Sequence, residues 1–409
     1  MKQTRIHSEA GAVFIHVAIG LVILLAFGAF VLDYGLFWVS RGQAQAAADA
    51  GALSGAISIA RDGANDGGDT AKAVAWNVSV QHAVWGNTPS AVATSPYNGA
   101  PCAAGPNSCI RVDVYRDGTN GSTLLPTWLG NLFGLAAQGV KAMAVARAGI
   151  GDMTTCLKPW AVIDKWTEQQ DPEWTENSTY DRYIRNGSNK GELDTSLMPP
   201  DSYEAPTATS VGTGFHPFDS EGGYSDDYGR QLTLKAGDND FDFGSGWFKA
   251  LALGGCGGGA CYRENIKGCV GLPFKIGDEL TVNNEPGEKV GPTRGAVEDD
   301  DDSLVKRDPG AYWDPAANDG RGGVAGSAFA TSPRIVAIPL INPDIVAEVQ
   351  KGGRTTVPVA NIAGFFVEGM APDGKGVLGR LITMPGLQSS GAGPISSESA
   401  YLYTIQLVR

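Results

Sequence analysis

Gly11-Ala-Val-Phe-Ile-His16-Val-Ala-Ile-Gly-Leu-Val-Ile-Leu-Leu-Ala-Phe-Gly-Ala-Phe-Val-Leu32 is an apolar run interrupted only by His16. Close behind it comes Arg41-Gly-Gln-Ala-Gln-Ala-Ala-Ala-Asp-Ala-Gly-Ala-Leu-Ser-Gly-Ala56. A hydrocarbon core of about 30 Å is crossed by about 20 apolar helical residues, and the first stretch meets that length. The second has no proline and is dominated by alanine, the best helix former. Together they predict one long helix that crosses a membrane and continues into water, with the rest of the chain as its cargo.

The segment Asp33-Tyr34-Gly35-Leu36-Phe37-Trp38 follows the run. A cleaved signal peptide has a shorter apolar core and ends in small residues. Bulky aromatics instead suit the headgroup level, so a retained anchor is expected. Lys2 and Arg5 precede the run, whereas the far flank carries Asp33 and no cation before Arg41. The positive-inside rule then puts the N-terminus in the cytoplasm and the bulk of the chain outside. An ionisable residue within a span is a functional candidate, which singles out His16. Asp33 would fix the depth of the span at its outer boundary. Gln45 and Asp49 lie four apart on one helix face, where they can bond a partner helix. Ala44, Ala48 and Ala52, and likewise Ala47, Gly51 and Gly55, form stripes of small residues that admit a close helix neighbour.

The residues from Gly11-Ala-Val through Leu32-Asp33-Tyr34-Gly35 to Gln43-Ala-Gln-Ala-Ala-Ala-Asp-Ala-Gly-Ala-Leu-Ser-Gly-Ala56 resemble the N-terminal segment of the TadG-like (TadE/G-like) proteins of the Flp, or tight-adherence, pilus system. Two departures stand out. Ala10 occupies a place where the family often has Arg, and His16 falls near a Glu of pilin-like members. That Glu belongs to subunits that are processed and polymerised. The resemblance therefore implies an uncleaved anchor in the bacterial inner membrane, acting as an accessory or minor component of pilus assembly. Its implied partners are other pilus-assembly membrane proteins and pilin-like subunits.

The remaining chain predicts an α+β protein in segments: a cytoplasmic tail 1–10, the span 11–32, a membrane-proximal helix 33–62, a small α+β module 63–154 and a mainly β domain 155–409. In the module, Asp69 is expected to cap a short helix. Ile110, Val112 and Val114 alternate with polar residues as in a half-buried strand. Pro126 suits the first turn of a helix whose apolar face is Trp128, Leu129, Leu132 and Phe133. Val140 to Ala148 reads as a further strand. Beyond it, Thr167 to Thr213 is polar and predicts an irregular insertion more than core. Short apolar runs at 231–235, 247–253, 276–282, 334–341, 357–362, 365–368, 377–383 and 401–407 predict strands. The 56 glycines fit many turns.

A formal net charge of -13 offers no electrostatic footprint for nucleic acid. The six cysteines, Cys102, Cys109, Cys156, Cys256, Cys261 and Cys269, permit disulfides on an oxidising side of the membrane. A Cys102–Cys109 bond across a turn, one bond within the later cluster and one reaching back to Cys156 would use all six, although the connectivity stays open. The spacing of Cys256, Cys261 and Cys269 is wide for a zinc site. Asp238, Asp240 and Asp242 alternate like the start of an EF-hand, but Lys249 stands where its bidentate Glu belongs. They are weak metal candidates, and an exported calcium-binding adhesin is the alternative function. Glu298-Asp-Asp-Asp-Asp302 is a like-charge block of a kind that is usually a self-repelling loop. No Gly-x-Ser-x-Gly elbow or His-Glu-x-x-His motif appears, so a membrane-tethered enzyme has the least support and no cofactor is expected.

Overall fold

The computed structural model describes residues 9–62, 68–100, 102, 108–221, 223–237, 241, 243–255, 258–283, 290–329, 331–352, 355–389 and 394–408. They fall into two units: Met1–Ile59 with Asp66–Ala148 and Ile405–Arg409, and Ala60–Asn65 with Gly149–Thr404. The main division falls between Ala148 and Gly149, while residues 60–65 group with the second unit and residues 405–409 with the first.

In the first unit, helix α1 runs unbroken from Glu9 to Asp62 over 54 residues. At 1.5 Å per residue it is about 80 Å long. No proline interrupts it. Its two halves differ in what surrounds them. Leu24, Leu25, Phe27, Phe30 and Leu32 are all more than 60% exposed, as lipid-facing residues would be. From Ser40 onward one face is covered: Ser40, Ala44, Ala47, Ala48, Ala52 and Ala56 have no exposure at all. These positions recur every three or four residues, which places them on a single helix face.

That face meets helix α2, Asp69–Gln81, whose buried residues are Ala71, Ala75 and Ser79. The contact leaves no room for a side chain on α1. A Cβ on Gly51 would stand 1.9 Å from Ser79 Oγ and 2.8 Å from the Ala75 carbonyl oxygen. One on Gly55 would stand 2.6 Å from Ile110 Cδ1 and 3.0 Å from Ala75 Cβ. The small-residue stripes therefore do admit a close helix, and that helix belongs to the same chain. Asp69 is not the cap of α2. Gly68 holds that position at φ 77°, and Asp69 sits in the first turn, ion-paired with Lys72. A positive φ is open to glycine at little cost.

Strands β1 (Ser90–Thr94) and β2 (Cys109–Arg116) pair antiparallel with Ser90 opposite Tyr115. The short strand β3 (Leu125–Pro126) pairs with β4 (Ala137–Gln138). Pro126 is thus in a ribbon, not a helix, and the helix expected around Trp128 is reduced to a 3-10 turn at Gly130–Phe133. Gly130 and Gly134 break the apolar period before it reaches two turns. Strand β5 (Val140–Ile150) lies antiparallel to β2 with Cys109 opposite Arg147. The strand at the C-terminus adds to the far edge of β5. In β2, Ile110, Val112 and Val114 are buried as alternation predicts, but Asp113 is only 6% exposed. Arg111 donates to both its carboxylate oxygens at 2.7 and 2.8 Å, and Lys141 pairs with it at 3.3 Å. Those long side chains cover the polar face. Cys102 is bonded to Cys109.

The second unit begins with β6 (Met153–Thr154) and centres on a closed six-stranded barrel. Its members include β7 (Trp160–Ile163), β8 (Gln231–Ala236) and β9 (Trp247–Ala250). Ribbon strands β10 (Phe274–Lys275), β11 (Glu279–Thr281), β12 (Tyr312–Asp314) and β13 (Gly323–Ala325) come next; β10 pairs with β6, and β12 with β13. Strand β14 (Ile335–Ile341) returns to the barrel, β15 (Thr356–Pro358) pairs with β11, and β16 (Asn361–Met370) and β17 (Gly376–Ile382) complete the barrel. Around it the order is β14-β16-β17-β8-β9-β7, closed by a parallel β7–β14 pairing with Leu340 opposite Val162. The β8–β9 pairing is also parallel. Closure leaves no free edge to recruit another strand. Strand β18 (Met384–Pro385) pairs parallel with β19 (Leu402–Val408).

Alternate barrel residues enter separate apolar clusters. Trp160, Val162, Ile338 and Leu340 belong to one, and Ala161, Ile163, Ala337 and Ile341 to the other. Both faces are buried, so these strands read as continuous apolar runs. Two helices absent from the sequence expectation provide part of the cover. The helix Gly259–Lys267 buries Tyr262 and Ile266, and the helix Pro343–Gln350 buries Val346, Ala347 and Val349. Asn342 caps the latter by accepting from Asp344 N at 2.8 Å, with Pro343 following. That cap-and-proline start was present in the sequence as Asn342-Pro343. The irregular insertion 167–213 also differs from expectation, because it contributes to the core. Tyr180 is 1% exposed, with its ring 5.5 Å from Trp166. Tyr180 and Tyr183 both donate to Asp344 Oδ1, at 2.9 and 2.8 Å. Cys156 is bonded to Cys269 across 113 residues, and Cys261 is also disulfide-bonded. Cys256 lies outside the described residues.

The α1–α2 contact predicts opposite effects for two glycine substitutions in one helix. Gly51→Ala meets the Ala75 carbonyl, which cannot rotate away as the Ser79 hydroxyl can, and should cost about 1–3 kcal/mol. Gly42→Ala meets nothing within 4 Å and should be neutral or stabilising by up to about 1 kcal/mol. Denaturation of the full chain in detergent compares the two directly.

Candidate functional site: the clamps along the long helix

Three polar side chains on α1 attach it to the loops of its own unit. Asp33 follows the last apolar residue of the run, and its carboxylate accepts three successive backbone N–H groups. Trp128 N donates to Oδ1 at 2.8 Å; Leu129 N and Gly130 N donate to Oδ2 at 3.2 and 2.6 Å. An ionised carboxylate only accepts, and its lone pairs suffice for all three. The donors are the otherwise unpaired N–H groups that open the 3-10 turn Gly130–Phe133. Asp33 thus caps a helical turn from 95 positions away in the chain. The residue is only 8% exposed. The loop then closes on itself, with Leu135 N donating to the Gly130 carbonyl at 3.0 Å and Thr127 Oγ1 to the Leu135 carbonyl.

Ten residues on, Gln43 Oε1 accepts from Trp85 N at 2.8 Å. Trp85 and Gly86 have φ values of 49° and 74°, the conformation of a tight primed turn. Gln45 Nε2 donates to Asp49 Oδ1 at 2.8 Å and to the Met143 carbonyl at 2.9 Å, reaching β5. The four-residue spacing of Gln45 and Asp49 is thus used within the helix, and Gln45 is used by its own sheet as well. Sequence reasoning singled out Asp33, Gln45 and Asp49 but missed Gln43; the Gln43-Ala-Gln45 pair was the available signal. His16 lies on the exposed half of α1, away from these clamps.

One buried polar group in the second unit surrounds Asp164 and Asp227. Asp164, with no exposure, accepts from Phe215 N at 2.8 Å, Lys165 N at 2.9 Å and the Tyr203 hydroxyl at 2.9 Å. Burial pushes its carboxyl up to about 7, against the pull of those donors. Asp201 is raised likewise by burial. Asp227 takes Lys165 at 2.9 Å and Arg230 at 3.0 Å. These carboxylates are answered by the protein itself, and the arrangement ties the insertion to the barrel.

The acidic block at 298–302 is not a self-repelling loop. Gly295–Asp299 is a helical turn, and each carboxylate has a partner. Glu298 Oε1 accepts from Met370 N at 2.6 Å, and Asp299 pairs with Arg294 at 3.1 Å. Asp300 pairs with Lys267 at 3.4 Å, Asp301 with Lys306 at 3.6 Å and Asp302 with Lys267 at 2.9 Å. Arg294 and Lys306 flank the block and Lys267 comes from the helix Gly259–Lys267, so a charge count along the block itself registers none of them. The metal candidates Asp238, Asp240 and Asp242 lie outside the described residues. Among the described residues no three His, Cys, Asp or Glu side chains gather as a cation site.

These features define a class: a long helix, apolar enough in its first half to cross a membrane, clamped in its second half to a small α+β module. Residues 11–61 match the family model Tad, described as putative Flp pilus-assembly TadE/G-like. That segment is a TadE/G-like domain, and it contains all of the helix clamps; the remainder of the chain lies outside the match. No curated protein and no solved structure matches the chain.

Replacing Asp33 leaves three backbone donors unpaired. Asp33→Ala should destabilise the loop 127–135 by about 1–3 kcal/mol and accelerate amide exchange at Trp128, Leu129 and Gly130, while Asp33→Asn, which keeps one acceptor oxygen, should do so less. Hydrogen exchange on the full chain reads both. Asp164 gives a pH prediction of definite sign. The folded carboxyl holds its proton up to about 7, whereas the unfolded one releases it near 3.9. Between those values the native state binds more protons, so stability falls as pH rises through the window. Asp164→Asn should remove this share of the slope, at most about 1.4 kcal/mol per pH unit, in thermal melts across the window.

Proposed function

We propose that the chain is a membrane-anchored, non-enzymatic accessory or minor component in the assembly of a Flp (tight-adherence) type IV pilus or a related secretion apparatus. The TadE/G-like segment supports the choice of system. The observation that carries the accessory role is the occupied face of α1. A subunit that polymerises through this helix needs its small-residue face free for neighbours. Here Gly51 and Gly55 are already closed against the chain's own α2 and β2, and Ala44, Ala48 and Ala52 on the same face are fully buried. Docking to pilus-assembly membrane proteins or pilin-like subunits is then left to the exposed first half, which includes His16. Asp33, Gln45 and Asp49 act by holding the helix to its module.

The apolar first half supports an anchor with the N-terminus in the cytoplasm and the bulk outside the bacterial inner membrane. The disulfides fit that oxidising side. The test is fractionation of a strain that carries the tagged chain in place of its own copy. The chain should stay with alkali-washed membranes and be absent from sheared pili, and its deletion should abolish surface pili. Recovery of the chain along sheared filaments would overturn the accessory role. Release by alkali would overturn the anchor.

A further inference from the structure

We propose that the loop held by Asp33 is a second membrane contact: residues 124–135 rest in the headgroup layer of the bilayer that α1 crosses. The inference rests on the anchor reading above and adds a surface to it. Asp33 stands one residue beyond Leu32, so its height is the boundary of the apolar run. The backbone of residues 128–130 is hydrogen-bonded to its carboxylate at 2.6–3.2 Å. Wherever the bilayer surface meets Asp33, it meets this loop too.

The loop's composition fits that position. Residues 118–140 contain no Asp, Glu, Lys, Arg or His, in a chain with 18% charged residues. Trp128 is 72% exposed, Leu135 54% and Leu124 46%. An exposed tryptophan in a neutral, apolar loop has the chemistry of an interfacial anchor, with its ring at the headgroups and its N–H hydrated. The helix side of the same level is aromatic as well. Phe30, Tyr34 and Trp38 form a ladder with centroids 5.7 and 6.5 Å apart, and Tyr34 and Trp38 are 56% and 69% exposed. A loop foot beside the helix gives two contacts with one bilayer surface, which fixes the tilt and rotation of α1.

The test uses the full chain in vesicles of phosphatidylethanolamine and phosphatidylglycerol, with and without lipids brominated near the glycerol. The emission of Trp128 is the difference between the parent and Trp128→Phe. It should be quenched by brominated lipid to the same extent as that of Trp38, read from Trp38→Phe. Leu135→Trp in the Trp128→Phe background should report the same quenching, so that a misfolded first variant does not end the test. If α1 does not span, the chain washes off the vesicles in alkali and the anchor reading fails first. If the chain stays and Trp38 is quenched, but both loop reporters answer only to aqueous acrylamide, the foot is overturned and the anchor stands. Shielding of both loop reporters from lipid and acrylamide alike would assign the loop to a protein neighbour and equally overturn it.

Discussion

The first unit depends on the absence of a side chain at two positions. Gly51 and Gly55 let α1 approach α2 so closely that carbonyl and methyl groups of Ala75 and Ala71 occupy the space where a Cβ would be. Small residues on both helices make the approach possible, and the alanines beside them are buried completely. A helix alone has no reason to adopt one rotation about its axis. This contact sets that rotation, and from it follow the directions of Asp33, Gln43 and Gln45. Each of the three reaches a loop or strand of the same module. The polar clamps are therefore subordinate to the apolar seam: they hold loops to a helix that packing has already oriented.

The Asp33 clamp joins two kinds of surface. Ahead of it the helix presents apolar residues in every direction; behind it one face is sealed. A carboxylate at that transition, itself almost buried, is answered by three N–H donors of the loop. The same arrangement brings an uncharged loop to the level where the apolar run stops. In the second unit the corresponding constraint is barrel closure. Of the two parallel pairings in an otherwise antiparallel ring, β8 and β9 are joined by residues 237–246, whereas β7 and β14 are separated by residues 164–334, which hold the irregular insertion and the helix Gly259–Lys267. Their aromatic residues then fill the layer over the strands.

What the sequence made legible follows from how local each signal was. The long helix was legible because it needs only composition and the absence of proline. The strands at 231–236, 335–341, 376–382 and 402–408 were legible because runs of Val, Ile and Leu have a short-range signature. The helix expected at Pro126 failed because a helical apolar period was weighed above Gly130 and Gly134, which end it. The helix Pro343–Gln350 was missed although its Asn342-Pro343 start was visible, because eight residues carry too little period. The clamps were half legible: Asp33, Gln45 and Asp49 stood out as polar residues beside an apolar span, but nothing local says that their partners are Trp128 and Met143. The acidic block misled in part for the same reason: Arg263 and Lys267 come from a distant helix, although Arg294 and Lys306 stand beside the block in the sequence.

The unbroken run of α1 has a mechanical consequence. A helix without proline, glycine pair or bulge at the membrane surface has no hinge there. Any rotation or axial shift imposed on its first half is carried along the same rod to Gly51 and Gly55, and so to the sheet that leans on them. The first unit is then a lever whose short arm is the exposed apolar run. A neighbour that gripped the exposed half near His16 would turn the outer module by the same angle, without touching it.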